Sequence, residues 1–240
     1  FTIDLPVVGL YCFDESNSLY RVTADSVSPF VISDQVSLPT DIRAIGTFGR
    51  NNIYLMINPE SNGGSNLIER FTLQAGNYAW LGTELAYRYQ TSGSGGNSFS
   101  SMTIDGNFLL WNSHTQQLHQ MQRDPATNNL QDRIVSLEWG DTSFVTYSNE
   151  VKALTTPSSR YVYLFDKKNS TLSVYLSSPL KTTQGNELRY NLNYVMRYAF
   201  DDSLKVQDVA IAGSTQNILY ILTDQGIYET NIGKTMDLYL

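Results

Sequence analysis

Few side chains in this 240-residue chain could hold a transition metal: His114, His119 and Cys12. Such metals need His, Cys and carboxylates that converge in space. His114 and His119 flank a polar break in "NFLLWNSHTQQLHQM", and their odd spacing does not put them on one strand face. They read as solvated hairpin histidines. Cys12 is the only cysteine, so no internal disulfide exists, and within "GLYCF" it reads as a small buried hydrophobe.

Other chemistries find little support. No G-x-S-x-G nucleophile elbow occurs. "IGKTMD" (232–237) contains Gly-Lys-Thr but lacks the leading glycine of a phosphate loop and opens no helix, so it is a chance match. "TSGSGGNS" (91–98) reads as a flexible connection. Many acids, among them Asp14, Glu15, Asp124, Asp166, Asp201 and Asp202, fall in polar breaks, where carboxylates serve turn hydrogen bonding. Asn169-Ser170-Thr171 is a glycosylation sequon whose Asn turn chemistry already explains.

Aromatic residues are the usable clue to binding. "NYAWLGTELAYRYQ" carries Tyr78, Trp80, Tyr87 and Tyr89, with Arg88 between the last two. Aromatic and Arg side chains are enriched at interface hot spots, and sugars stack on aromatic faces. Trp139, in "LEWGD", joins this set as a binding candidate. The competing expectation is that a strand buries half of such residues against its neighbours.

Charge narrows the partners. The net charge is −7, the pI is about 4.8, and no basic stripe runs along the chain. A nucleic-acid partner is excluded on that ground, and anionic membrane surfaces are disfavoured. No apolar run is long enough for a membrane-spanning helix, so direct membrane insertion is not expected. Charged residues make up only 16%, leaving Ser, Thr, Asn, Gln and Tyr to form the surface, a habit common in exported proteins. A chain beginning at Phe1 reads as a processed or excised piece of a larger extracellular or cell-surface protein.

The elements that must position these residues repeat. "GLYCFDESNSLYRV" and "YVYLFDKKNSTLSVY" share an apolar run, Phe-Asp, a polar turn and a second run. Trp111–Asn112, Ile57–Asn58 and Leu222–Thr223 take the Phe-Asp place in three further segments. The second runs open at Leu19, Leu67, Leu118, Leu172 and Ile227, roughly every 50 residues, a period of the propeller range. Short segments rich in small residues precede four of these hairpins (41–48, 98–105, 151–157, 206–213), with Phe1–Pro6 left for the first. Variable segments follow: "PFVISDQVSL", "NYAWLGTELAYRY", "RIVSLEWGD", "NYVMRYAF" and "KTMDLYL". Runs such as "YVYLFD" are apolar at consecutive positions, which suits strands covered on both faces. Trp111, at the Phe13 and Phe165 position, is core. The expectation is one all-β domain over 1–240, a β-propeller of four-stranded antiparallel blades, five in number with six as the alternative.

In "VQDVAIAGSTQNILYILTDQGIYETNI" and "VKALTTPSSRYVYLFDKKNSTLSVYLSS" the repeats resemble the NHL-repeat and lactonase-like propellers. The resemblance implies a recognition platform in a larger surface or signalling protein, or, in a minority, an enzyme with a central metal. Lactonase-like propellers hold calcium near the inner ends of their first strands. The matching region here offers Asp41, Ser98, Glu150 and either Gln207 or Asp208. Arg43 and Lys152 stand on two of the same strands and oppose a cation if they face inward. No Trp-Asp or Gly-His signature of WD-type propellers is present. The expected function is therefore a non-enzymatic propeller that binds a protein or glycan and needs no cofactor. The alternative is a lactonase- or glycosidase-like hydrolase with a channel metal, calcium, or a carboxylate pair.

Overall fold

Apolar runs bounded by Asn, Asp, Ser and Gly pair as hairpins, because β-branched and aromatic side chains suit a pleated surface and the bounding residues suit tight turns. The computed structural model of the chain describes residues 2–4, 9–13, 19–22, 27–29, 42–47, 52–57, 66–74, 77–87, 99–104, 108–123, 130–138, 146–155, 159–177, 181–183, 186–188, 191–212 and 218–232. The chain divides into two units, Phe1–Ser98 and Phe99–Leu240.

The first unit holds two four-stranded antiparallel sheets. One runs β1 (Thr2–Asp4), β2 (Gly9–Phe13), β3 (Leu19–Val22), β4 (Val27–Pro29); the other β5 (Ile42–Thr47), β6 (Asn52–Ile57), β7 (Asn66–Gln74), β8 (Asn77–Tyr87). Each sheet follows chain order. Ile53, Leu55, Met56, Ile68 and Phe71 are fully buried in the second of them.

The second unit repeats the plan. β9 (Phe99–Ile104), β10 (Phe108–Asn112), β11 (Gln117–Arg123) and β12 (Leu130–Glu138) form one blade. β13 (Val151–Leu154), β14 (Tyr161–Asp166) and β15 (Thr171–Ser177) begin the next. A separate small hairpin, β16 (Lys181–Thr183) and β17 (Asn186–Leu188), then precedes the blade's fourth strand, β18 (Asn191–Ala199). β19 (Asp208–Ala212), β20 (Ile218–Thr223) and β21 (Gly226–Asn231) make a third set. Residues 234–240, expected to supply its outer strand, lie outside the described residues. The outer strands β12 and β18 pair in parallel through Ser136–Asn191, Leu137–Leu192 and Glu138–Asn193, which joins two blades into one eight-stranded sheet.

The repeat seen in the sequence is the repeat of the ladders. Phe13 faces Leu19, Ile57 faces Leu67, Trp111 faces Leu118, Phe165 faces Leu172 and Leu222 faces Ile227 across the hairpin. The residue after each anchor ties its turn where the turn is described. Asn112 Oδ1 accepts from the His114 and Thr115 amides at 3.0 and 3.1 Å, Asp166 Oδ1 from the Asn169 amide at 3.2 Å, and Thr223 Oγ1 from the Gln225 amide at 3.1 Å. Gln116 and Ser170 close their turns in the left-handed region, at φ 54° and 48°.

Burial follows the two-sided reading. Val162 and Leu164 of β14 pack with Trp111, Leu118 and Val135 of the preceding blade. Tyr163 and Phe165 of the same strand pack with Val209, Ile211, Leu219 and Ile221 of the following one. Trp111 is core, edge-on to Tyr147 at 5.3 Å. The fold is all-β and of the propeller class, built from four-stranded antiparallel blades.

Three expectations need correction. The outer strand of the first repeat is Val27–Pro29, ahead of the 29–38 segment, most of which lies outside the described residues. The 179–188 stretch, which a plan of four strands per repeat leaves as a mere connection, contains the β16–β17 hairpin. His119 is not solvated: its side chain is wholly buried, with Nδ1 3.0 Å from Asp132 Oδ1 and its ring edge-on to Phe99 at 5.2 Å. His114, by contrast, is exposed in its turn.

Candidate functional site

First strands of a blade carry small residues because neighbouring blades crowd there, and Ala44, Ser101, Ala153 and Ala210 are all buried. In the second unit these strands are also stitched together. Ser101 on β9 faces Trp111, Lys152 on β13 faces Phe165, and Asp208 on β19 faces Leu222, so the three hold one register position in successive blades. Ser101 Oγ accepts from the Ala153 amide at 2.7 Å. Lys152 Nζ donates to the Val209 carbonyl at 3.0 Å. Each reaches the residue just past its own equivalent in the next blade. Thr103 adds to the first seam, accepting from the Thr155 amide at 3.2 Å.

Lys152 Nζ also donates to both oxygens of Asp208, at 2.9 Å each. All three ammonium donors are thereby used. Burial acts to raise the Asp208 carboxyl, but the cations around it, the Lys152 ammonium first among them, together outweigh it, and the group sits at about 2. Of the other positions matching a channel calcium site, Glu150 and Gln207 are exposed, while Asp41 and Ser98 lie outside the described residues. Arg43 is exposed. Among the described residues no group of three His, Cys, Asp or Glu side chains converges.

The connector between the two joined blades is held by side chains. Gln116 Nε2 donates to the Tyr147 carbonyl at 2.8 Å. The Ser148 amide donates to Asp166 Oδ2 at 2.8 Å, its hydroxyl donates to Asp166 Oδ1, and Asn169 Nδ2 donates to Oδ2 at 2.7 Å. Burial opposes ionisation of Asp166, but these donors hold its carboxyl below the ordinary range. The sequon residue Asn169 is thus part of the turn.

Of the aromatic binding candidates, Tyr78, Trp80 and Tyr87 are on β8, where they stand opposite Leu73, Phe71 and Asn66. Arg88, Tyr89 and Trp139 lie outside the described residues. A second aromatic and Arg cluster, not singled out from sequence, occupies β18. Tyr194, Met196, Arg197 and Tyr198 are partly buried there, and Tyr194 stands edge-on to Tyr175 at 5.9 Å. "NYVMRYAF" interleaves Tyr and Arg as the 77–90 segment does, which is the signal that could have found it. Tyr147 and Tyr175 share a hydroxyl contact of 2.7 Å beneath, and burial pushes the Tyr147 phenol up to about 12.

No protein-family model matches this chain, and no curated protein matches its sequence. Solved structures resemble it in fold. An auxiliary nutrient binding protein from Bacteroides ovatus ATCC 8483 aligns with a TM-score of 0.54 at 10% identity, over 93% of this chain and 53% of that one. Its counterpart from Bacteroides thetaiotaomicron VPI-5482 gives 0.49 at 14% identity, again over 93% and 53%. A candidate 6-phosphogluconolactonase from Bacteroides uniformis ATCC 8492 gives 0.41 at 10% identity, over 96% and 65%. The chain spans from about half to just under two thirds of the length of these structures. What the Bacteroides ovatus protein shares with this chain is the fold.

Proposed function

We propose that this chain is a non-enzymatic recognition module, part of an exported or cell-surface protein, that binds a protein or glycan partner. The observation that carries this reading is the Lys152–Asp208 pair. In the inner-strand region where a lactonase-like propeller would present carboxylates to calcium, Asp208 already holds a lysine ammonium. A divalent ion there would have to displace that lysine and lie beside its charge. What remains for function is surface carried on rigid blades, with Tyr on the outer strand β8 and Tyr and Arg on the outer strand β18. The auxiliary nutrient binding protein from Bacteroides ovatus, similar in fold, is in keeping with a binding role.

A thermal-melt panel tests it, with calcium, magnesium, zinc, a chelator and common glycans each added to the chain. A ligand present at a hundredfold its dissociation constant stabilises the native state by about 2.7 kcal/mol. The expected result is indifference to metals and chelator, and a rise with one glycan or with a captured protein partner. A calcium-dependent rise reversed by chelator, together with lactone or glycoside hydrolysis, would replace this reading with the hydrolase.

A further inference from the structure

We infer that the face of β18 carrying Arg197 and Tyr194 is the ligand site, and that it takes a carboxylate-bearing sugar, a uronic acid residue. The inference rests on the recognition reading and names the ligand class it lacks. In a regular strand, Tyr194 and Arg197 would project to opposite faces. Here the β15–β18 ladder shifts register, so that Val174 faces Met196 but Tyr175 faces Tyr194, leaving Val195 as the extra residue. The bulge returns Tyr194 to the face of Arg197, which stands opposite Ser173. Thr171, Ser173 and Tyr175 share that face on β15 by the two-residue period.

The charge there is uncompensated. The Arg197 guanidinium is half-buried, and the hydrogen bond it makes, 2.8 Å to Thr171 Oγ1, goes to a neutral hydroxyl. Its Nε is buried without an acceptor, and among the described residues no carboxylate pairs with it. The partly exposed guanidinium thus has no carboxylate partner among the described residues, and in a chain of net charge −7 an anion from outside would supply one at its terminal nitrogens. A carboxylate does so in two parallel bonds to the planar fork. A uronate fits better than an acidic peptide, because a hydroxyl, that of Thr171, holds the guanidinium and a partly buried tyrosine, Tyr194, shares its face. Sugar hydroxyls and C–H faces complement such groups.

The test titrates the full chain with galacturonate, glucuronate and trigalacturonate, with galactose as the neutral arm and an acetylated Glu-Glu peptide as the acidic-peptide arm. Binding is read calorimetrically and from the Arg197 Nε–H resonance. The expected result is uronate binding that moves this resonance, weakens with added salt, and falls by about tenfold or more in Arg197→Gln, with Arg197→Lys in between. The resonance needs no variant, so a misfolded substitution does not blunt the test. Silence from every uronate, or equal binding by a folded Arg197→Gln, overturns the proposal. Binding of the peptide alone overturns the sugar class. A neutral sugar or a protein bound with the Arg197 resonance unmoved overturns this site while the recognition reading stands.

Discussion

Lys152 on β13 and Asp208 on β19, far apart in sequence, meet at 2.9 Å through both carboxylate oxygens, and together they fasten the first strands of adjacent blades. Either partner alone is a charge in a largely covered place. Lys152→Met is expected to destabilise the chain by about 1–3 kcal/mol, because Asp208 loses the ammonium that bonds both its oxygens and the Val209 carbonyl loses its donor. Lys152→Met combined with Asp208→Leu should cost less than the sum of the single changes, which a double-mutant cycle in urea would read.

The same pair predicts a pH dependence. The folded Asp208 carboxyl is depressed to about 2, below its unfolded value. Its contribution is therefore present above the unfolded carboxylate range and is lost as the pH falls towards 2. Urea midpoints between pH 5 and pH 2.5 should fall less steeply in Lys152→Met than in the parent chain.

Asp166 closes a hairpin turn and anchors the connector through Ser148. Asp166→Ala leaves several donors without their acceptor and should cost on the order of 2–3 kcal/mol, whereas Asp166→Asn retains part of it. Hydrogen exchange of the Ser148 and Asn169 amides should speed up before global unfolding does.

Ser101 presents the acceptor for the buried Ala153 amide. Ser101→Ala is close to volume-neutral, so its effect isolates that bond. A loss of about 1–3 kcal/mol is expected from the orphaned N–H, and a melt unchanged within error would refute the stitching role.

Among the described residues Trp111 is the largest fully buried side chain. Trp111→Ala should cost about 3–5 kcal/mol, and Trp111→Phe considerably less, since only part of the ring volume is lost. Chemical denaturation of the two variants reads the difference.

The sequence by itself determined the local architecture. The anchors Phe13, Ile57, Trp111, Phe165 and Leu222 and the openers opposite them were legible because a hairpin is a short-range object, set by a turn and a two-residue period. The two-sided burial of β14 was legible for the same reason, as an unbroken apolar run. Other features were decided only when distant segments met. Turn proximity made His119 look solvated, but Phe99 and Asp132 enclose it across the neighbouring strands. Lys152 read only as a charge opposing a channel metal, until β19 brought Asp208 to it. The parallel joining of β12 to β18 has no trace in either strand's composition, because ladder hydrogen bonds come from the backbone, which every residue shares. The bulge at Val195, which sets Arg197 beside Tyr194, belongs to the ladder with β15. Side-chain direction in a strand depends on the register of its partner, and that register exists only in the folded chain.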